Sequence, residues 1–122
     1  YEAMADLVNE WGSTTLGQSG YSSVGAVVGA TYPTQLEEMR KRMDKAWILV
    51  PGYGAQGGTA RDVARAFDKD GLGAIINASR SLMCAYNLEN WKAKYSKEQF
   101  AEAARSEAER MRDDINKERE SL

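Results

Sequence analysis

The stretch Val50-Pro51-Gly52-Tyr53-Gly54-Ala55-Gln56-Gly57-Gly58-Thr59 places four glycines within the seven positions 52 to 58. Glycine takes positive φ without steric cost and lets the backbone come close to a ligand. The string joins an apolar segment to a helical one that opens at Thr59. Free N–H groups and the dipole at such a helix start favour an anion such as phosphate. Gln56 adds a neutral amide donor. On composition alone, a tight turn whose glycines only satisfy geometry is an equally good reading.

A second cluster, Asn77-Ala78-Ser79-Arg80-Ser81, closes the next apolar run. Arg80 has the planar fork that grips phosphate bidentately, and the Ser79 and Arg80 amides sit beside it. An isolated arginine is more often a surface ion-pair partner. Two anion-suited loops on successive strands change that balance, because barrel phosphate sites are built after neighbouring strands.

Absences narrow the chemistry further. The chain has no histidine and a single cysteine, Cys84. A Ser-His-Asp triad, a Cys-His pair, a histidine zinc site and a thiolate cluster are therefore excluded within these residues. An internal disulfide is excluded too, which fits a reducing cytoplasm. Net charge is −2 with acids and bases mixed, so no basic face for nucleic acid or membrane is expected. No apolar run reaches the roughly 20 residues of a spanning helix, and the start, Tyr1-Glu2-Ala3-Met4, does not read as a signal peptide.

These loops need elements to hold them. Continuous apolar runs over Val24–Ala30, Ala46–Val50 and Leu72–Ile76 predict three strands buried on both faces of a parallel sheet. Helices are expected between them. The first carries Met4, Leu7, Val8 and Trp11 and stops at Gly12; residues 12–23 read as a flexible loop. Pro33 opens the second, with Leu36, Met39 and Met43 as its stripe. Ala60, Val63, Ala64 and Phe67 mark the third, capped by Thr59 with Asp62 three residues on. A short helical turn spans Ser81–Tyr86. The last helix begins near Ser96 with Gln99 in capping-box spacing, and its stripe is Phe100, Ala104, Ala108, Met111 and Ile115; its charged side reads as solvated. Trp47 and Trp91 read as packing residues, Met39, Met43, Met83 and Met111 as core filler, and Cys84 as a buried small residue.

The pattern is one helix and then three β-α units. Alternating units imply a parallel sheet covered by helices. A TIM barrel needs eight such units and roughly 250 residues, so residues 1–122 are expected to form a single partial domain or a small open α/β sandwich.

The motifs themselves resemble a known family. Pro51-Gly52-x-Gly54-Ala55-Gln56-Gly57-Gly58 is similar to the signature after the seventh strand of orotidine 5′-phosphate decarboxylases. Val27-Val28-Gly29-Ala30-Thr31 resembles their sixth strand and Asn77–Ser81 the end of the eighth, while Gly20–Ala26 resembles the longer bacterial branch. The resemblance implies an α/β fold, the C-terminal portion (about strands 6–8) of a TIM (β/α)8 barrel. It implies decarboxylation of orotidine 5′-phosphate to UMP without metal or organic cofactor, in a cytoplasmic homodimer. By resemblance, Gln56, Gly57, Gly58, Ser79 and Arg80 hold the substrate phosphate, Pro51 lines the pyrimidine pocket, and Tyr53 lies near the ribose or ring. The family's Asp-x-Lys-x-x-Asp catalytic motif has no counterpart here. Asp68-Lys69-Asp70 has the residue types without the spacing and reads as a solvated turn beside Gly71. No catalytic residue is assigned, and the N-terminal half-barrel that would carry the motif is an expected partner. Two alternatives stay open: an inactive half-barrel that must assemble, and a sugar-phosphate decarboxylase or aldolase of the same barrel group.

Overall fold

The computed structural model describes residues 1–54 and 56–122. Three strands, β1 (Ala26–Val27), β2 (Ile48–Val50) and β3 (Ala74–Ile76), form one sheet in the order β1-β2-β3 with both pairings parallel. The strands are shorter than the apolar runs that predict them. The ladder nonetheless extends past their ends, through Val28 N–H to Leu49 O at 3.0 Å, Ala30 N–H to Pro51 O at 3.1 Å and Asn77 N–H to Val50 O at 3.0 Å. Those extensions all lie at the carboxyl end of the sheet, so the glycine string and the Asn77–Ser81 cluster leave the sheet side by side.

Five α-helices follow the predicted order: α1 (Glu2–Gly12), α2 (Pro33–Arg42), α3 (Ala60–Ala64), α4 (Ser79–Met83) and α5 (Phe100–Glu120). Pro33 stands in the first turn of α2. The predicted box at Thr59 forms: Thr59 N–H donates to Asp62 Oδ2 at 2.9 Å and Asp62 N–H to Thr59 Oγ1 at 3.2 Å. Ser96 N–H donates to Gln99 Oε1 at 3.0 Å, and a 3-10 turn over Lys97–Gln99 leads into α5. The core lies between the sheet and its helices, where Leu36 of α2, Ile48 and Val50 of β2 and Val63 of α3 are fully buried.

The two faces of the sheet differ, contrary to the two-sided burial expected from continuous apolar runs. Ile48 and Val50 point into the helix layer, while Val27, Leu49 and Ile75, which stand opposite one another in register, are 68%, 39% and 56% exposed. An apolar row of this kind faces other strands in a closed barrel. Helix α1 departs from expectation similarly. Met4, Leu7 and Trp11 are exposed, and the small residues Ala5 and Gly12 with Val8 face inward. Periodicity marks an apolar face without saying which neighbour covers it.

At the other end of the sheet, Arg40 is buried. Its guanidinium donates to Gly73 O at 2.8 Å, Ala46 O at 2.9 Å and Met43 O. It thereby ties the end of α2 to the starts of β2 and β3. Residues 12–23 are likewise not free. Gly17 N–H bonds Tyr21 O at 2.9 Å, Ser22 N–H bonds Lys45 O at 2.8 Å, and Tyr21 and Ser22 are buried. The Tyr21 ring packs on Trp47 with centroids 4.9 Å apart. Its hydroxyl donates to Asp68; burial and that carboxylate push the phenol up to about 12.

The turn expected at Asp68-Lys69-Asp70 forms, with Lys69 and Asp70 exposed, but Asp68 itself is half-buried. Its Oδ1 accepts from Asp70 N–H at 2.8 Å and Leu72 N–H at 2.9 Å, so it builds the turn that starts β3. Met39, Met43 and Met111 are core residues as expected, but Met83 is 65% exposed and Cys84 is exposed. Leu82 and Ala85 are the residues of this segment that turn inward. Among the described residues, no helix is long and apolar enough to cross a membrane.

Candidate phosphate-binding site

The glycine string folds into a self-bonded turn. Gly58 N–H donates to Gly52 O, Gly54 N–H to Gly58 O and Gly57 N–H to Gly54 O, all at 2.9 Å. Gly52, Gly54 and Gly57 have φ of +102°, +78° and +90°, a region that side chains disfavour. Gly58 is required for another reason: a Cβ there would stand 2.5 Å from Gly52 O, so any larger residue would open the turn. Ala55 lies outside the described residues. The turn delivers the chain directly to the capping box of α3.

That cap corrects one expectation. The N–H groups of Thr59 and Asp62 are occupied by the cap itself, and α3 is only five residues long. The helix start contributes little field of its own. The α4 start differs: its N-cap is Ala78, no side chain caps it, and no acid stands in its first turn. Among the described residues, no side chain caps the Ser79 and Arg80 amides, although α4 is as short as α3.

Between the two loops lies a cleft of about 220 Å³. Pro51, Tyr53, Gln56, Ser79 and Arg80 line it, so the structure brings together five of the seven residues expected at the site. Gly57 and Gly58 complete the turn without being part of the lining. Arg80 is the one charged residue among those lining the cleft. Arg80 and Gln56 are exposed, and neither side chain makes a hydrogen bond or ion pair among the described residues. The Gln56 carboxamide folds back toward Gly52, its Oε1 3.6 Å from the position a Cβ would take there. A larger cleft, about 660 Å³, lies beside the start of β3 between α2, α3 and the end of α5. It sits away from both loops and mixes acids with bases, including the ion-paired Arg65 and Glu37.

Two features of the site were not legible as such. The Ser81 hydroxyl is buried at the cleft without a hydrogen-bond partner among the described residues, an unmet polar group of the kind native structures rarely keep. The second is Tyr53, which lines the cleft and pairs with Gly58 across the turn, yet is only 7% exposed. The Arg110 charge on α5 acts on its phenol. Burial pushes that phenol up, and Arg110 works against the rise.

Arg110 is itself held by Glu107. Its Nη2 donates to Glu107 Oε1 at 2.6 Å and its Nε to Oε2 at 3.0 Å, while Trp91 Nε1 donates to the same carboxylate at 2.7 Å. Glu107 is 2% exposed. Burial opposes its ionisation, but the Arg110 and Trp91 hydrogen bonds hold the carboxyl below its ordinary range. The buried face of α5 is thus Ala103, Glu107, Met111 and Ile115, one register away from the expected Phe100, Ala104 and Ala108.

No family model matches the chain. It is 48% identical over 115 residues to the orotidine 5′-phosphate decarboxylase of Clostridium perfringens and 43% identical over 115 residues to that of Rhodopirellula baltica. In both cases 94% of this chain is covered and 38% of the relative. Among solved structures, a Toxoplasma gondii protein assigned as an orotidine-monophosphate-decarboxylase matches with a TM-score of 0.62 and 31% identity over 89% of this chain and 43% of its own. Leishmania donovani UMP synthase matches with a TM-score of 0.57 and 34% identity, covering 88% of this chain and 21% of its own. The chain is therefore a homologue of orotidine 5′-phosphate decarboxylases. It matches a C-terminal portion of their barrel and spans well under half the length of the relatives it resembles.

Proposed function

We propose that this chain supplies the phosphate-binding part of the active site of an orotidine 5′-phosphate decarboxylase, a carboxy-lyase that forms UMP and CO2 in pyrimidine biosynthesis. The reading rests on one observation above all: a cleft with a single cation, Arg80, between two loops whose backbone approaches it closely. Arg80 grips the phosphate as a fork, Gln56 donates its amide, and the amides of Ser79 and Arg80 at the start of α4 add neutral donors; the Gly57 and Gly58 amides are taken up inside their own turn, and these two residues shape the loop. Pro51 borders the pyrimidine ring and Tyr53 the ribose.

Residues 1–122 act as one partial domain. The acids and lysines of the catalytic motif come from the N-terminal part of the barrel. There the bond to the departing carboxylate breaks, and a lysine of that motif protonates the ring carbanion that remains. The role of the present residues is to convert phosphate binding into a lower barrier at the distant ring. No metal or organic cofactor takes part, and the enzyme works in the cytoplasm as a homodimer.

Thermal stabilisation tests the substrate class. UMP should raise the melting temperature of the protein, and at about 100 times Kd the gain is about 2.7 kcal/mol. Simple sugar phosphates should stabilise it much less. Equal stabilisation by ribose 5-phosphate and UMP would favour a sugar-phosphate decarboxylase or aldolase of the same barrel group.

A second reading concerns assembly, and the exposed row Val27-Leu49-Ile75 favours it. That row and the edges of β1 and β3 are covered by the remaining strands of the barrel, and the 122 residues alone are inactive. Sedimentation of residues 1–122 should show self-association or incomplete folding. A folded monomer of 13.5 kDa would remove the need for the missing half.

A further inference from the structure

We infer that the Ser81 hydroxyl is a further phosphate-binding group of the cleft, unpaired in the free protein and turned to the ligand on binding. The inference rests on the phosphate reading of the cleft. Ser81 lines the cleft beside Arg80 and is half-buried, while its Oγ is buried without a hydrogen-bond partner among the described residues. A serine in a helical turn commonly spends its hydroxyl on a carbonyl three or four residues back; Ser81 does not. Its Oγ lies between the two loops, 3.9 Å from the place a Cβ would take at Gly54 of the glycine turn. Arg65 Nε is also buried without a partner, but its guanidinium is ion-paired with Glu37. Ser81 has no second polar side-chain atom through which to be satisfied.

A buried hydroxyl left unmet costs stability, and native structures keep few of them. Departures of this kind concentrate where function requires them. Rotation about Cα–Cβ carries a serine oxygen from one staggered well to another without moving the backbone. Because Ser81 already borders the cleft, that rotation alone offers its proton to a phosphate oxygen, and the hydrogen bonds of the glycine turn stay intact. An anionic oxygen is the stronger acceptor for such a donor. Arg80 then supplies the charge and Ser81, the next residue, a neutral donor. The contact is made to the phosphate alone, so a nucleoside without phosphate gains nothing from it.

The experiment joins calorimetric titration of the full protein with UMP and uridine to thermal melting without ligand, for the parent, Ser81→Ala and Ser81→Cys. Ser81→Ala should weaken UMP about tenfold, the loss of one hydrogen bond to a charged group, with no matching loss for uridine. Ser81→Cys keeps the shape with a weak donor and should lose UMP nearly as much. In the free protein Ser81→Ala should raise the melting temperature, because it deletes an unmet polar group and places the best helix former in α4. A serine that only supports the fold would show the reverse: lower stability and unchanged UMP affinity. That result, or equal losses for UMP and uridine, would overturn the proposal. Arg80→Ala separates the two readings. If it keeps the parent UMP affinity, the phosphate site itself is wrong. If it loses UMP while Ser81→Ala binds as the parent does, only the role of Ser81 is wrong.

Discussion

Replacing Arg80 by alanine should cost two to three orders of magnitude in affinity for UMP. Hydrogen bonds to charged groups contribute about 1.5–3 kcal/mol each, and a bidentate arginine-phosphate contact makes two. A combined loss of about 3–4 kcal/mol corresponds to about 10²–10³ in Kd. Nothing in the cleft compensates, since Arg80 is the one charged residue in its lining. In an active enzyme the loss should appear in kcat/KM as well, because phosphate binding is used to stabilise the transition state. Arg80→Lys restores the charge without the fork and should recover only part of the loss. Titration with UMP measures both variants; unchanged affinity in Arg80→Ala would remove the phosphate assignment.

The second large effect is on stability. Arg40→Met should destabilise the fold by about 3–5 kcal/mol, the range for breaking a buried charged network. Arg40 is 6% exposed and donates to the carbonyls of Gly73, Ala46 and Met43, with Ala66 O further off at 3.4 Å. Methionine fills much of the volume but donates nothing. Each buried carbonyl left unmet costs about 1–3 kcal/mol. For a chain of this size the melting temperature should fall by about 10–20 °C. Circular dichroism on heating measures the change, and a fall of only a few degrees would mean that water reaches these carbonyls. UMP affinity of the folded Arg40→Met protein should stay near that of the parent, because Arg40 sits at the opposite end of the sheet from the cleft.

The parts of this molecule readable from sequence are those decided by local physics. The β-α alternation, the Thr59-Asp62 and Ser96-Gln99 caps and the turn at residues 52–58 each depend on residues within a few positions of one another, and each was found as expected. The charged residues that turn inward were not readable. Arg40 and Glu107 look solvated on any helical wheel. What buries them is a carbonyl or an indole brought up from far along the chain: Gly73 for Arg40 and Trp91 for Glu107. The exposed face of α1 and the exposed row on the sheet fail for the complementary reason. Their apolar residues mark a face, and periodicity does not say which neighbour covers it. Met83 and Cys84 were misplaced because their neighbours Leu82 and Ala85 take the inward-facing positions of that segment.

The self-bonded turn at residues 52–58 also bears on how ligand binding divides between enthalpy and entropy. Its three internal hydrogen bonds, together with the cap that follows, are present before any ligand arrives. Ordering a residue costs about 1–2 kcal/mol, and for this loop that cost falls on folding rather than on association. On the proposed reading, phosphate then meets a preorganised loop. Its binding should carry little entropic penalty from the loop, and its rate should be limited by encounter rather than by closure of these residues.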